Sequence, residues 1–317
     1  MNKIVLAGGS GFLGKSAAFY FRNLGYQVVV LSRSESKIIN EIEYINWDAK
    51  SLGPWVSSLE NSTAIINFTG KSVNCIYTET NKREIIDSRI NSVKVIDQAV
   101  LNLKSPPKVI IQAASLAIFG DTKSDSTEES PLGKGFSVDV CKIWEDEFFK
   151  ISIPDSRKVI LRIGFVLGKN GGAIEPLTKL AKWFLGGSIG DGTQFISWIH
   201  IEDMNRMFEF CINQDVTGIF NATGPDPVEN KFFMKALRKA VHRPWSPPAP
   251  KFIVKLGAFF IMKADSSLAL TGRKCFPKRF IDLGFQFKHT DLTKNFRRVS
   301  LNSTAPNVVS AYWRSWM

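Results

Sequence analysis

Seven residues near the N-terminus, Gly8-Gly9-Ser10-Gly11-Phe12-Leu13-Gly14, carry the clearest chemistry in the chain. They follow the apolar run Lys3-Ile4-Val5-Leu6-Ala7 and precede a helix-like stretch, Lys15 to Leu24; a second strand pattern, Gln27 to Leu31, closes the unit. Glycines at this spacing between a strand and a helix form a dinucleotide-binding turn. Gly8 permits the tight turn, Gly11 lets the backbone approach a pyrophosphate, and Gly14 lets the helix pack close to the strand. The helix N-terminus then faces the phosphates. The plainer alternative is a glycine-rich strand-to-helix turn with no ligand.

The second strand runs into Ser32 and Arg33. An NAD-binding unit usually carries Asp or Glu there for the ribose 2′-hydroxyl, and a carboxylate would repel a 2′-phosphate. A guanidinium pairs with a phosphate, often through two hydrogen bonds. The pair Ser32-Arg33, with Lys37 adding charge, predicts NADP(H) in preference to NAD(H). Arg33 as an ordinary exposed loop charge is the alternative.

These residues need a scaffold, and the pattern supplies one. Apolar strands at Lys3–Ala7, Gln27–Leu31, Thr63–Phe68, Lys108–Ala113 and Arg157–Ile163 alternate with helical spacing at Thr80–Leu103 and Val138–Ile151. Alternation of this kind gives βαβ units, and right-handed crossovers wind them into a parallel sheet with helices on both faces. The fold class read from the chain is α/β: a Rossmann-type doubly wound parallel sheet with a smaller, mainly helical substrate lobe. Residues 1–168 form the NADP-binding domain. Residues 169–300, punctuated by Gly171-Gly172, Gly186-Gly187 and the proline-rich connection 244–250, form the lobe, with some elements returning to the main sheet. Residues 301–317 are a tail carrying Trp313 and Trp316.

Composition narrows the function classes. With 317 residues, 44% hydrophobic and 22% charged, the chain has material for a large core. The four cysteines, at 75, 141, 211 and 275, form no Cys-x-x-Cys pair, and the three histidines are scattered, so no metal site is expected. No cleavable leader pattern is read at the start, and the apolar stretch Phe252–Met262 is too short to span a bilayer. A reduced, cytoplasmic setting follows. The net charge of +12 is spread along the chain without a basic block or interleaved aromatics. Nucleic acid and membrane are therefore poor partners, and a phosphate-rich cofactor with a small substrate, anionic or neutral, is the simpler account. The assembly expected is a monomer or homodimer.

Several segments occur in a telling order: the glycine turn, Asn67-Phe68-Thr69-Gly70, Lys82-Arg83 with Asp87-Ser88-Arg89, Arg162 to Gly168, Gly190-Asp191-Gly192, Ser197-Trp198-Ile199-His200-Ile201-Glu202-Asp203, and Phe220 to Pro225. In this the chain resembles an extended, atypical short-chain dehydrogenase/reductase of the NAD-dependent epimerase/dehydratase family, nucleoside-diphosphate-sugar epimerase-like branch. Leu270 to Phe280 through Phe285 resembles that branch's C-terminal module. The resemblance implies an NADP(H)-dependent oxidoreductase or epimerase-like enzyme that moves a hydride to or from a carbonyl or carbinol carbon. The alternative is an NADP(H)-binding sensor or scaffold that has lost catalysis.

One departure from the family bears on that choice. Short-chain reductases use a Tyr-x-x-x-Lys pair, in which lysine lowers the tyrosine pKa so that the phenol exchanges a proton with substrate oxygen. None of the five tyrosines here has lysine four residues later. Counting back from Glu145, Ser137 stands at the tyrosine position and Cys141 at the lysine position. Ser115, at the end of the strand after Lys108, is the first candidate for the hydroxyl donor, with Cys141 a weaker candidate acid.

The remaining candidates each have two readings. Asp48 binds an adenine amino group or caps a loop. Asn67, Thr69 and Gly70 border the cofactor from a strand end. Arg162 touches the cofactor or forms a buried ion pair. Lys82 and Arg89 share a helical face toward substrate or solvent. Trp198 and His200 line the substrate lobe or serve structure.

Overall fold

The computed structural model describes residues 2–169, 171, 172, 174–250, 252, 254, 265 and 270–301. The tail beyond Leu301, with Trp313 and Trp316, and most of the apolar stretch Phe252–Met262 lie outside these residues.

In chain order the elements are β1 (Lys3–Ala7), α1 (Phe12–Asn23), β2 (Gln27–Ser32), β3 (Lys37–Ile39), β4 (Ile42–Asn46), β5 (Ala64–Asn67), α2 (Glu79–Val100), β6 (Val109–Ser115), β7 (Thr122–Ser126), α3 (Phe136–Lys150) and β8 (Arg157–Ile163). Then come β9 (Phe165–Leu167), α4 (Ile174–Lys182), β10 (Phe195–Ile196), β11 (Trp198–His200), α5 (Ile201–Asn213), β12 (Gly218–Ala222), β13 (Val228–Glu229), α6 (Asn230–Ala240), β14 (Arg273–Cys275), α7 (Lys278–Asp282) and α8 (Leu292–Leu301).

Eight strands make the central sheet in the order β12-β8-β6-β5-β1-β2-β4-β3. Every pairing is parallel except the edge hairpin β3–β4. The chain winds outward from β1 through β2 and β4, then resumes at β5 on the other side. That reversal opens a crevice beyond the C-terminal ends of β1 and β5, where α/β sheets bind ligands. The doubly wound Rossmann-type sheet is as the sequence implies, and β12 is the later element that returns to it.

Both faces of the sheet are covered, so its strands are continuous apolar runs rather than alternating ones. Ile4, Leu6, Val28 and Val30 pack against Ala17 and Phe21 of α1 and against Met204, Met207 and Phe208 of α5. Val5, Ala7, Ile65 and Ile110 face Val93 and Ile96 of α2 and Trp144 and Phe148 of α3. Each of these residues buried from full exposure contributes ~1.5–3 kcal/mol for the larger side chains. Within the second layer lies a buried ion pair: Lys158 Nζ donates to Asp97 Oδ1 and Oδ2 at 2.9 and 2.8 Å and to the Phe148 carbonyl at 2.7 Å. Burial pushes the Asp97 carboxyl up, and Lys158 opposes the shift.

A smaller core gathers Trp198, Phe233, Leu237 and Phe296 from β11, α6 and α8. The C-terminal segment is tied back to the body: β14 pairs with β7 in a separate two-stranded sheet, the Ser197 hydroxyl donates to the Arg273 carbonyl at 2.8 Å, and Cys275 N donates to the same hydroxyl at 2.8 Å.

Candidate active site

The turn after β1 is held by its own backbone. Gly8 N donates to the Leu31 carbonyl at 2.9 Å and Gly9 N to the Leu6 carbonyl at 3.2 Å. Gly8 has φ +68°, and a Cβ there would lie 2.6 Å from Thr69 Oγ1. A Cβ on Gly14 would lie 2.3 Å from the Gly9 backbone. These two glycines are required by the chain itself. Gly11 is different, since a Cβ there meets nothing within 4 Å. It is the exposed N-cap of α1, with extended backbone, no side-chain cap and no acidic residue in the first turn. The free amides and positive end of the helix therefore open onto space that takes an anion. Ser10 is exposed beside it, while Phe12 and Leu13 are half-buried in the start of α1.

Across the crevice, Asn67 Oδ1 accepts from Thr69 N at 3.0 Å while Asn67 Nδ2 donates to Gln112 Oε1 at 2.9 Å. This buried pair shapes the loop 67–70. Thr69 Oγ1 is buried and completes no hydrogen bond. An orphaned hydroxyl, an uncapped helix start and a glycine whose missing side chain only a ligand would notice fit a dinucleotide pyrophosphate. At the end of β2, Ser32 is buried with its hydroxyl 2.7 Å from that of Ser34, and Arg33 is exposed. Asp48 is exposed, and its Oδ1 accepts from Lys50 N and Ser51 N at 2.8 and 2.9 Å, which is the loop-capping arrangement. Those backbone bonds, Ser51 first, hold its carboxyl below the usual range.

Ser115 ends β6 next to this loop. Its Oγ accepts from Ala117 N at 3.1 Å, which leaves the hydroxyl proton to be donated elsewhere. Cys141 lies behind it, with Sγ 3.9 Å from the Ser115 carbonyl. Burial, then Glu145, pushes the Cys141 thiol up to about 12, so it neither ionises nor gives up a proton readily near neutral pH. Arg89 reaches the same place from α2: Nη1 donates to the carbonyls of Ile85 and Lys71 at 2.9 and 3.1 Å, and a Cβ on Gly70 would meet its guanidinium at 3.1 Å. Lys82 sits at the outer end of α2, paired with Glu79 at 2.8 Å.

Three candidates are placed by other demands. Arg162 donates from Nε and Nη2 to the two oxygens of Glu145 at 2.9 and 2.7 Å, so its fork is committed to a buried ion pair and not to the cofactor crevice. Trp198 is 1% exposed in the smaller core and presents no face to a substrate. His200 Nδ1 accepts from Glu202 N at 3.2 Å, capping α5, and its ring lies 3.9 Å from that of His289. Asn295 Oδ1 and Glu202 Oε2 face the two nitrogens of His289 at 3.0 and 2.8 Å. His200, Glu202 and His289 bring one ligand atom each within 4.8 Å of one another. Two rings stacked at a 34° tilt, however, do not aim lone pairs at one ion. The group serves as a clasp between α5 and the segment before α8. Two surface depressions, around Tyr26, Lys108 and Arg157 and around Pro154 and Lys158, lie at the N-terminal strand ends, away from these groups.

Comparison with known proteins agrees with this architecture. Residues 4–223 match the model of the NAD dependent epimerase/dehydratase family, and residues 249–299 match a domain of unknown function, DUF1731. The epimerase family protein YfhF of Bacillus subtilis is 33% identical over 296 residues, spanning 91% of this chain and 95% of the relative. The chloroplastic SDR39U1 homolog of Arabidopsis thaliana is 30% identical, spanning 90% and 83%. Among solved structures, human epimerase family protein SDR39U1 with NADPH superposes with a TM-score of 0.83 at 25% identity, covering 95% of this chain and 99% of that one. A nucleoside-diphosphate sugar epimerase from Corynebacterium glutamicum shares the fold, with a TM-score of 0.76 at 23% identity, covering 99% of this chain and 61% of that one.

Proposed function

Since the chain belongs to the NAD dependent epimerase/dehydratase family, we propose that it is an NADP(H)-dependent oxidoreductase or epimerase-like enzyme acting on a small carbonyl or carbinol substrate. The observation that carries this reading is the uncapped start of α1 at Gly11, facing the orphaned Thr69 hydroxyl. When bound, the cofactor supplies the hydride chemistry. The protein's part is to hold and orient. Amides of the Ser10–Leu13 turn would receive the pyrophosphate, Thr69 Oγ1 would gain the partner it lacks, and Arg33 would meet a 2′-phosphate at the end of β2. Ser115, its oxygen already accepting from Ala117 N, would donate a hydrogen bond to the substrate oxygen and fix its position.

The rival reading, a cofactor-binding sensor without turnover, is favoured by one observation: the thiol at the lysine position is buried and un-ionised. Both readings share the cofactor preference, and one titration tests it. NADPH should bind more tightly than NADH, and Arg33→Ala should cost ~1.5–3 kcal/mol of NADPH affinity with little change for NADH. Equal affinities of the unmodified protein for the two, followed by cofactor fluorescence, would sink the assignment.

A further inference from the structure

Ser137 and Cys141 occupy the first turns of α3, and neither is a phenol or an ammonium. A phenol and a cation, in this case a guanidinium, nevertheless reach this spot from a different part of the chain. Tyr77, in the loop ahead of α2, sets its ring edge-on to Phe136 with centroids 4.9 Å apart. Its hydroxyl is buried and meets no partner of full hydrogen-bond geometry among the described residues; Ser137 is the side chain that approaches it as a hydrogen-bonding group, and Asp265, Cys75 and Arg89 act on it by charge. Arg89 enters from α2 and lies 4.9 Å over the Trp144 ring. Among the described residues no carboxylate pairs with it. Its bonds go to backbone carbonyls, and the groups that bear on its charge are Cys141 and Tyr77. A desolvated cation with no counter-charge among the described residues, beside a phenol that only Ser137 approaches, makes an electrostatic pair with room for a third member.

We propose that Tyr77 and Arg89 are the proton-transfer pair of this site, Tyr77 giving its proton to the substrate oxygen and Arg89 holding the phenolate that remains. The proposal rests on the hydride-transfer reading above. In the reducing direction a hydride from NADPH forms the new C–H bond and the carbonyl π pair moves to oxygen. The Oη–H bond of Tyr77 breaks as the substrate O–H bond forms, NADPH leaves as NADP⁺, and water reprotonates the phenolate. Ser115 fixes the oxygen from the end of β6 while Tyr77 protonates it from the α2 side. Burial, then Asp265 and Cys75, raise the Tyr77 phenol, and Ser137 and, least, Arg89 pull it back, so near neutral pH it is protonated and able to donate.

The test begins without turnover. In protein carrying carbon-labelled tyrosine, the Tyr77 resonance is assigned by its loss in Tyr77→Phe and titrated with pH. Arg89→Gln should move that titration upward by about one pH unit, and Arg89→Lys, which keeps the charge, by clearly less. An unmoved titration in Arg89→Gln overturns the pairing. NADPH affinity of Tyr77→Phe should stay within about threefold of the parent, while kcat for reducing benzaldehyde falls by ~100-fold at unchanged KM. Undiminished kcat overturns the donor role, and lost NADPH binding in Tyr77→Phe shows that the ring only builds the crevice, which overturns it equally. A parent protein with the coupled titration but no NADPH binding refutes the hydride-transfer reading and leaves the coupling intact.

Discussion

One wall of the crevice is backbone and the other is side chain. On the β1–α1 side, glycines and main-chain amides do the shaping: Gly8 leans on Thr69, Gly14 on Gly9, and Gly11 leaves the helix start open. On the β6–α2–α3 side, Ser115, Tyr77, Arg89 and Cys141 arrive from four separate segments. Behind them lies the buried polar contact of Arg162 with Glu145. A backbone wall fails by steric clash; a side-chain wall fails by lost support.

The sharpest way to break this comparison is within the backbone wall. Gly14→Val puts a branched side chain where a Cβ already lies 2.3 Å from the Gly9 backbone, and should cost more than ~4 kcal/mol, enough to prevent folding. Gly11→Val meets no protein atom, and should keep the parent's melting temperature while abolishing dinucleotide binding. Calorimetry of the pair decides it. If Gly11→Val still binds NADPH, the nucleotide lies elsewhere.

Next in size is the buried ion pair at the other end of the side-chain face, between α2 and β8. Asp97→Asn leaves the Lys158 ammonium buried without its counter-charge and should lower stability by ~3–5 kcal/mol in urea unfolding. A loss below ~1 kcal/mol would mean that the site admits water and the pair is not structural.

Within the side-chain wall, Ser115→Ala should reduce any carbonyl turnover by ~100-fold, whereas Cys141→Ala should leave it near the parent value. The reverse ranking in steady-state assays would make the thiol the working group despite its burial.

The smallest effect belongs to the α5 clasp. The hydrogen bond from His289, partly offset by burial, holds the Glu202 carboxyl below its ordinary value of 4.5. A depressed carboxyl stabilises the fold above that ordinary value, and the contribution disappears as pH falls through the lower, folded-state value. Glu202 is 41% exposed, so solvent screening limits the gain to under ~1 kcal/mol. The melting-temperature difference between the parent and Glu202→Gln should be small and positive near neutral pH and close at acid pH. A difference that widens on acidification would contradict the assigned sign.

The two walls also differ in how far the sequence exposes them. The backbone wall was legible because its determinants are contiguous: a strand, spaced glycines and a helix within Lys3–Asn23. Ser115 could be found because it ends a strand. Tyr77 could not, since no local period connects it with α3, and its neighbours meet only when α2 packs on α3. The edge hairpin β3–β4 escaped for a local reason. Its turn residues, Asn40 and Glu41, both take positive φ, at 50° and 63°, without the glycine that normally marks such a turn. Arg162 and Trp198 show the converse, since charge and aromatic character suggested contact with ligand where packing had already claimed both.

Glu128 gives the fold a history. Its Oε1 accepts from Asn221 N at 3.0 Å and from Arg279 N at 3.3 Å, partners that lie 93 and 151 residues further along the chain. A ribosome adding ~5–20 residues per second delivers the second partner roughly 8–30 s after Glu128 itself. Over that interval the segments of the glycine turn and the 67–70 loop have all been synthesised, while the loop carrying Glu128, whose carbonyl also receives Arg162 at 3.3 Å, still waits for its anchors. The nascent chain thus has the parts of its nucleotide cradle before it can complete the chamber beside it.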